Sequence, residues 1–162
     1  MSYPEPRYLG STGEVSATYR AHDHPPELVN PKGTKVHYLS TGASTKGEFG
    51  LYRWDFGPEV SGPDAHFHKT IAETFFILSG TVRLYDGEQW VDATSGDYLY
   101  VPQGGIHAFK NEPGEPASML LLFTPGAPRE EYFETLVEVA KGKVLSEEER
   151  AAFYLRHDNH WL

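Results

Sequence analysis

Two histidines one residue apart, His66 and His68, stand just ahead of Glu73, and Glu73 opens the apolar, β-prone run Thr74-Phe75-Phe76-Ile77-Leu78. In a β-strand successive side chains point to opposite faces, so both imidazoles lie on one side while Phe67 points to the other. A carboxylate at the start of a buried strand lies near a dry interior and needs a partner there. Downstream, the turn Pro102-Gln103-Gly104-Gly105 halts one strand and starts the next, and His107 follows it. A lone buried histidine is ordinarily a hydrogen-bonded core residue, but four converging ionisable groups are a different matter. Each costs several kcal/mol to desolvate, so together they would erode most of a domain's roughly 5–15 kcal/mol of stability unless a cation compensated them. The pattern therefore predicts a metal site built from His66, His68, Glu73 and His107.

The same residues carry a family resemblance. His66-x-His68-x4-Glu73-x6-Gly80, followed by Gly96-x5-Pro102-x-Gly104-x2-His107-x3-Asn111, resembles the two motifs of the cupin superfamily. The second motif matches at every position. In the first, the family's usual glycine six residues before the first histidine is replaced by Val60, with Gly57 and Gly62 flanking it. The resemblance implies an all-β fold, the double-stranded β-helix or jelly-roll barrel, with one divalent metal ion per chain. It also implies that the Pro-rich segment before the barrel packs on a neighbouring subunit.

The remaining chain reads in keeping with that fold. Sixteen glycines and twelve prolines supply the many turns of an all-β chain. Residues 1–34, broken by Pro4, Pro6, Pro25, Pro26 and Pro31, read as an arm with at most short strands. His22-Asp23-His24 within it is followed by two prolines and reads as a solvated loop. Strands are expected over Lys35 to Thr41, Glu48 to Gly57, Gly80 to Asp86, Gln89 to Ala93, Asp97 to Val101, Ile106 to Lys110 and Ala117 to Thr124, closing a barrel over residues 35–125. Asp86-Gly87 marks a tight hairpin. Tyr52, Trp54 and Phe56 share one face of their strand, and Arg53 and Asp55 the other. Tyr52 and Trp54, with Phe75 and Phe109, are the candidate substrate-contacting residues.

Beyond Pro125 the apolar period changes to three and four residues, predicting an amphipathic helix from Pro128 to Lys141. Ser146-Glu147-Glu148-Glu149 reads as a capping box opening a second helix to about Leu155. Residues 126–162 are thus expected to pack as helices on the barrel of a single-domain protein, with the polar tail His157 to Leu162 solvated.

A net charge of −9 disfavours nucleic acid and anionic membranes as partners. Neither an eighteen-residue apolar run nor a signal peptide is visible, so a soluble cytoplasmic protein is expected. The absence of cysteine leaves nitrogen and oxygen donors for the metal, which suits Fe, Mn, Ni, Co or Zn without choosing among them. By resemblance, the expected activity is that of quercetinase-like dioxygenases: O2 and a small phenolic or enediol substrate, with Glu73 doubling as catalytic base. A non-redox cyclase or isomerase using the metal as Lewis acid, and a non-enzymatic small-molecule-binding protein, are the alternatives. Apolar sheet surface that one barrel does not cover predicts a homodimer.

Overall fold

The computed structural model describes residues 1–162. Eleven strands and two helices follow one another along the chain. Strands β1 (Leu28–Val29), β2 (Lys35–Ser40) and β3 (Gly50–Asp55) precede the histidine pair. They are followed by β4 (His66–Phe67), β5 (Ala72–Ser79), β6 (Thr81–Tyr85), β7 (Trp90–Thr94), β8 (Tyr98–Val101), β9 (Ala108–Asn111) and β10 (Ser118–Thr124). Helices α1 (Glu130–Ala140) and α2 (Glu147–Arg156) come next, and a last short strand, β11 (His160–Trp161), ends the chain.

Every pairing is antiparallel. One sheet runs β1-β2-β3-β10-β5-β8, a second runs β7-β6-β9, and β11 pairs with β4. The two larger sheets share a single core, with Tyr52, Phe75, Ile77, Met119, Leu121 and Phe123 from one meeting Val82, Leu84 and Phe109 from the other. This is a jelly-roll sandwich, with two helices behind it. Its sheets stay open, where a fully closed barrel was expected. The ladders break where the chain changes sheet, at Gly80, whose φ of 69° only glycine adopts freely, and at the turn before His107. Gly80 also packs so closely that a Cβ would sit 2.2 Å from the Pro116 carbonyl oxygen.

Strand β10 holds the large sheet together from its middle, and its side chains alternate. Met119, Leu121 and Phe123 are buried, while Leu120 and Leu122 are half-buried on the other face. Strand β5 alternates in the same way, so Glu73, Phe75 and Ile77 face inward and Phe76 and Leu78 face out. Glu73 is therefore committed by parity to the side of the core. The Asp86-Gly87 hairpin forms, with the Asp86 carboxylate accepting the Glu88 and Gln89 amide protons.

The first helix begins two residues later than expected, because Arg129 occupies the capping position and its side chain is turned inward. Tyr132, Phe133 and Val137 bury the apolar stripe of α1 over the open end of the core. The capping box of α2 is complete: the Ser146 hydroxyl accepts the Glu149 amide, and the Glu149 carboxylate accepts the Ser146 amide. The tail differs from its expectation. It is not solvated but returns as β11, pairing Trp161 with His66 and His160 with Phe67. Asp158, at a φ of 56° that Asp tolerates better than most residues, holds the return. Its carboxylate accepts the Lys69 and Thr70 amides and the Thr70 hydroxyl at 2.7–3.0 Å. No helix is long and apolar enough to cross a membrane.

Candidate metal centre

His66 and His107 are joined through their backbones, each amide donating to the other's carbonyl oxygen at 3.0 and 2.9 Å. The Gly104 amide likewise donates to the His68 carbonyl oxygen at 2.7 Å. Backbone bonds thus stitch the two histidine-bearing stretches together before any side chain is considered. From the opposite sheet wall, β5 delivers Glu73. All four side chains are buried, none more than 4% exposed, and one ligand atom from each lies within 4.8 Å of all the others. His22 and His24 are exposed in a turn, as expected.

The hydrogen bonds around the imidazoles decide what this cluster can do. Nδ1 of His66 donates to the Asp64 carbonyl oxygen (2.8 Å), Nδ1 of His68 to that of Asp158 (2.7 Å), and Nδ1 of His107 to that of Gly105 (3.0 Å). A carbonyl oxygen only accepts, so each ring keeps its proton on Nδ1, and in the neutral state Nε2 is a bare lone pair. Two of those lone pairs face one carboxylate oxygen, Glu73 Oε2, at 3.2 Å from His68 and 2.8 Å from His107. Lone pair against carboxylate is repulsive unless a proton or a cation lies between them. Ligand atoms each about 2.1 Å from a common ion stand about 3 Å apart when adjacent, which is the spacing found here from Glu73 Oε2 to His68 and to His107. Three imidazoles with the proton held away and one carboxylate, with no thiolate in the chain, could hold a divalent cation.

Without a cation, protons must do the same work. Burial alone would raise the Glu73 carboxyl, but the His107 charge and the hydrogen bonds from His107 and His68 outweigh it and hold Glu73 well below the usual carboxylate range. Burial pulls His107 down, yet the facing Glu73 charge more than reverses this and raises it. His66, which has no such bond to Glu73, is pushed by burial and by the His107 charge down to about 4. Its lone pair is therefore free at neutral pH.

A cavity of about 270 Å³ opens on His66 and Glu73, and apolar side chains make up most of its wall. Trp54 and Phe109 line it, with ring centroids 6.1 Å apart, as do Tyr132 and Phe133 of α1, Phe133 lying 5.3 Å from Trp54. Tyr52 and Phe75 are fully buried behind this wall. Phe75 packs on Phe109 and lies 5.9 Å from the His107 ring, and the Tyr52 hydroxyl donates to Glu130 at 2.5 Å. The structure also brings to the site residues that the sequence reading passed over. Arg129 and Asn159 line the same cavity, Trp161 packs 5.2 Å from His66, and the Asp158 carbonyl orients His68. The one signal for the tail in the sequence was its density of His, Asp and Asn, and nothing local marked Arg129.

Residues 52–123 match the model of the cupin domain family. Quercetin 2,3-dioxygenase of Bacillus subtilis (strain 168) is 26% identical over 120 residues, covering 74% of this chain; the chain spans 35% of that relative's length. Among solved structures, a predicted oxalate decarboxylase from Thermotoga maritima aligns with a TM-score of 0.57 at 20% identity, over 66% of this chain and 97% of that one. The polyketide cyclase RemF from Streptomyces resistomycificus aligns at 0.53 and 18% identity, over 68% and 79%. These structural likenesses speak to the fold, and they agree with the sandwich described above. The domain match, the distant curated relative and the jelly roll converge on one statement: residues 52–123 match the cupin domain family, and the chain resembles quercetinase.

Proposed function

We propose that the protein is a metal-dependent dioxygenase acting on a small aromatic or enediol substrate. The observation that carries this reading is the cavity that runs from the His66–Glu73 side of the cluster along the aromatic wall of Trp54 and Phe109. The chain's distant likeness to a quercetin 2,3-dioxygenase suggests the reaction class. In this proposal His66, His68, Glu73 and His107 hold one divalent ion, one of Fe, Mn, Ni, Co or Zn. That ion would supply Lewis acidity toward a substrate oxygen and, where it is redox-active, a route for O2 to react.

The chain's own residues do the rest. Trp54 and Phe109 orient a flat ring by stacking, with Phe75 packed behind Phe109 and Phe133, itself against Tyr52, packed on Trp54. The apolar wall excludes water, so a substrate hydroxyl entering it loses its alternative proton acceptors. Glu73 takes that proton at a carboxylate oxygen. Burial in the apolar site raises the basicity of that carboxylate.

Outward-facing Phe76, Leu78, Tyr98 and Tyr100 form an exposed apolar face on β5 and the edge strand β8. This supports a homodimer as the working assembly. The function is tested by metal analysis of the purified protein with oxygen uptake on a panel of phenols and enediols. Oxygen consumption that needs both metal and substrate supports the reading. Product formation from the best substrate that is unchanged under anaerobic conditions replaces it with a Lewis-acid cyclase or isomerase.

A further inference from the structure

Arg129 is an expensive residue to place where it is. It is 3% exposed, and its guanidinium lies among rings, 4.2 Å from the centroid of Tyr132, 5.1 Å from Phe123 and 5.6 Å from Phe133. Its two hydrogen bonds go to neutral acceptors, from Nη1 to the His157 carbonyl oxygen (2.7 Å) and from Nη2 to Asn159 Oδ1 (3.1 Å). Its Nε is buried without a partner. Glu73, the acid that shares the cavity, is already engaged by His68 and His107. Asn159, 2% exposed, repeats the pattern: its oxygen is used by Arg129, which fixes the orientation of the amide, and its Nδ2 is buried without a partner. Both residues line the cavity that opens on the cluster.

The groups left over in this pair are donors, and one member is a cation whose hydrogen-bond partners are neutral, the Glu73 and Asp158 carboxylates that act on it from a distance being engaged elsewhere. An unpartnered buried donor costs the full desolvation of that group, and a buried guanidinium favours a planar anionic acceptor that can take two of its hydrogens. We infer that Arg129 and Asn159 form a subsite for a carboxylate, or an equivalent anionic oxygen group, of the cavity's ligand. The inference rests on the proposal that this cavity is the substrate site, and it narrows the substrate class to acids with an apolar ring or chain. The aromatic rings around the guanidinium hold it in one orientation, so the subsite is formed before the ligand arrives.

The test is equilibrium binding of benzoate and of benzyl alcohol to the full chain, metal-free and metal-loaded, read by calorimetry or by quenching of Trp54 and Trp161. Benzoate should bind at least about tenfold more tightly than benzyl alcohol in both forms, in line with a charge-assisted pair. Asn159→Asp gives Arg129 an internal counter-ion of the same shape. It should abolish the preference while keeping the melting temperature at or above that of the parent, and Arg129→Gln should abolish it as well. Should Arg129→Gln fail to fold, Asn159→Asp decides alone. A parent protein with no preference for benzoate, or a preference that survives Asn159→Asp, overturns the subsite. A benzoate preference that behaves as expected in a protein showing no oxygen uptake supports the subsite and rejects only the dioxygenase reading.

Discussion

Replacing Asp158 by Ala should cut both stability and metal affinity, although Asp158 touches no ion in this account. Its carboxylate accepts two amides and one hydroxyl across a gap of 88–89 residues in sequence, at 2.7–3.0 Å, and it is well shielded from solvent. A hydrogen bond to a charged group contributes about 1.5–3 kcal/mol, and water can reach part of the vacated site, so the three together should be worth about 2–4 kcal/mol rather than their sum. Alanine at a φ of 56° adds to the loss. For a chain of this size that corresponds to a fall in melting temperature of roughly 5–15 °C. The second effect arises because the Asp158 carbonyl fixes the His68 ring through Nδ1. Losing the anchor of that backbone should lower metal affinity by about 10–100-fold, as for other partners of metal-binding imidazoles. Thermal unfolding of the metal-free protein and a chelator-competition titration read the two effects separately. The Asp158 carboxyl is held below its usual range: burial raises it, and the Thr70 and Lys69 hydrogen bonds more than offset this. A group with a depressed folded pKa stabilises above its unfolded pKa and loses that contribution as pH falls through the folded value. The difference between parent and Asp158→Ala should therefore shrink on acidification below about pH 4. A variant within about 0.5 kcal/mol of the parent, with unchanged metal affinity, would refute the reasoning.

Three further outcomes are expected. Glu73→Gln should reduce turnover far more than metal content, whereas His66→Ala and His107→Ala should remove both, as metal analysis beside an activity assay would reveal. In the metal-free parent, the depressed Glu73 carboxyl stabilises the fold above the ordinary carboxylate range and loses that contribution as pH falls below about 4.5; an acid-unfolding series should show this loss in the parent and not in Glu73→Gln. Deleting the residues before Pro31 should weaken the proposed homodimer, and light scattering that finds a monomer in both forms at micromolar concentration would rule the dimer out.

Much of this fold is legible in the sequence because its signals are local. The alternation around Tyr52 and Phe75, the Asp86-Gly87 hairpin and the Ser146–Glu149 capping box each rest on neighbours within a few residues. Strand parity puts His66 and His68 on one face, whereas His107 joins them and Glu73 from 34 to 41 residues away, and it is the spacing of the two motifs that makes it legible. What escapes is long-range. The tail looks like a polar terminus, and only the capture of the Asp158 side chain by the Lys69 and Thr70 amides makes it a strand. Arg129 stands at the start of a helix, where a cation is locally unfavourable, and its use becomes visible only when the tail folds back to meet it. Parity also cannot separate a cavity wall from the core behind it. Tyr52 and Trp54 share a face, yet α1 packs so that Trp54 borders the cavity and Tyr52 lies beneath.

The central claim is that three Nε2 lone pairs and the Glu73 carboxylate are arranged for a cation. It is tested most directly by unfolding the purified protein with and without chelator alongside elemental analysis. About one equivalent of a divalent metal per chain is expected. The melting temperature should drop on chelation, since binding to the native state alone contributes roughly 2.7 kcal/mol at a free metal level a hundredfold above the dissociation constant. The drop should be absent in His107→Ala. A protein that carries no metal, takes none up and melts identically with and without chelator would contradict the account.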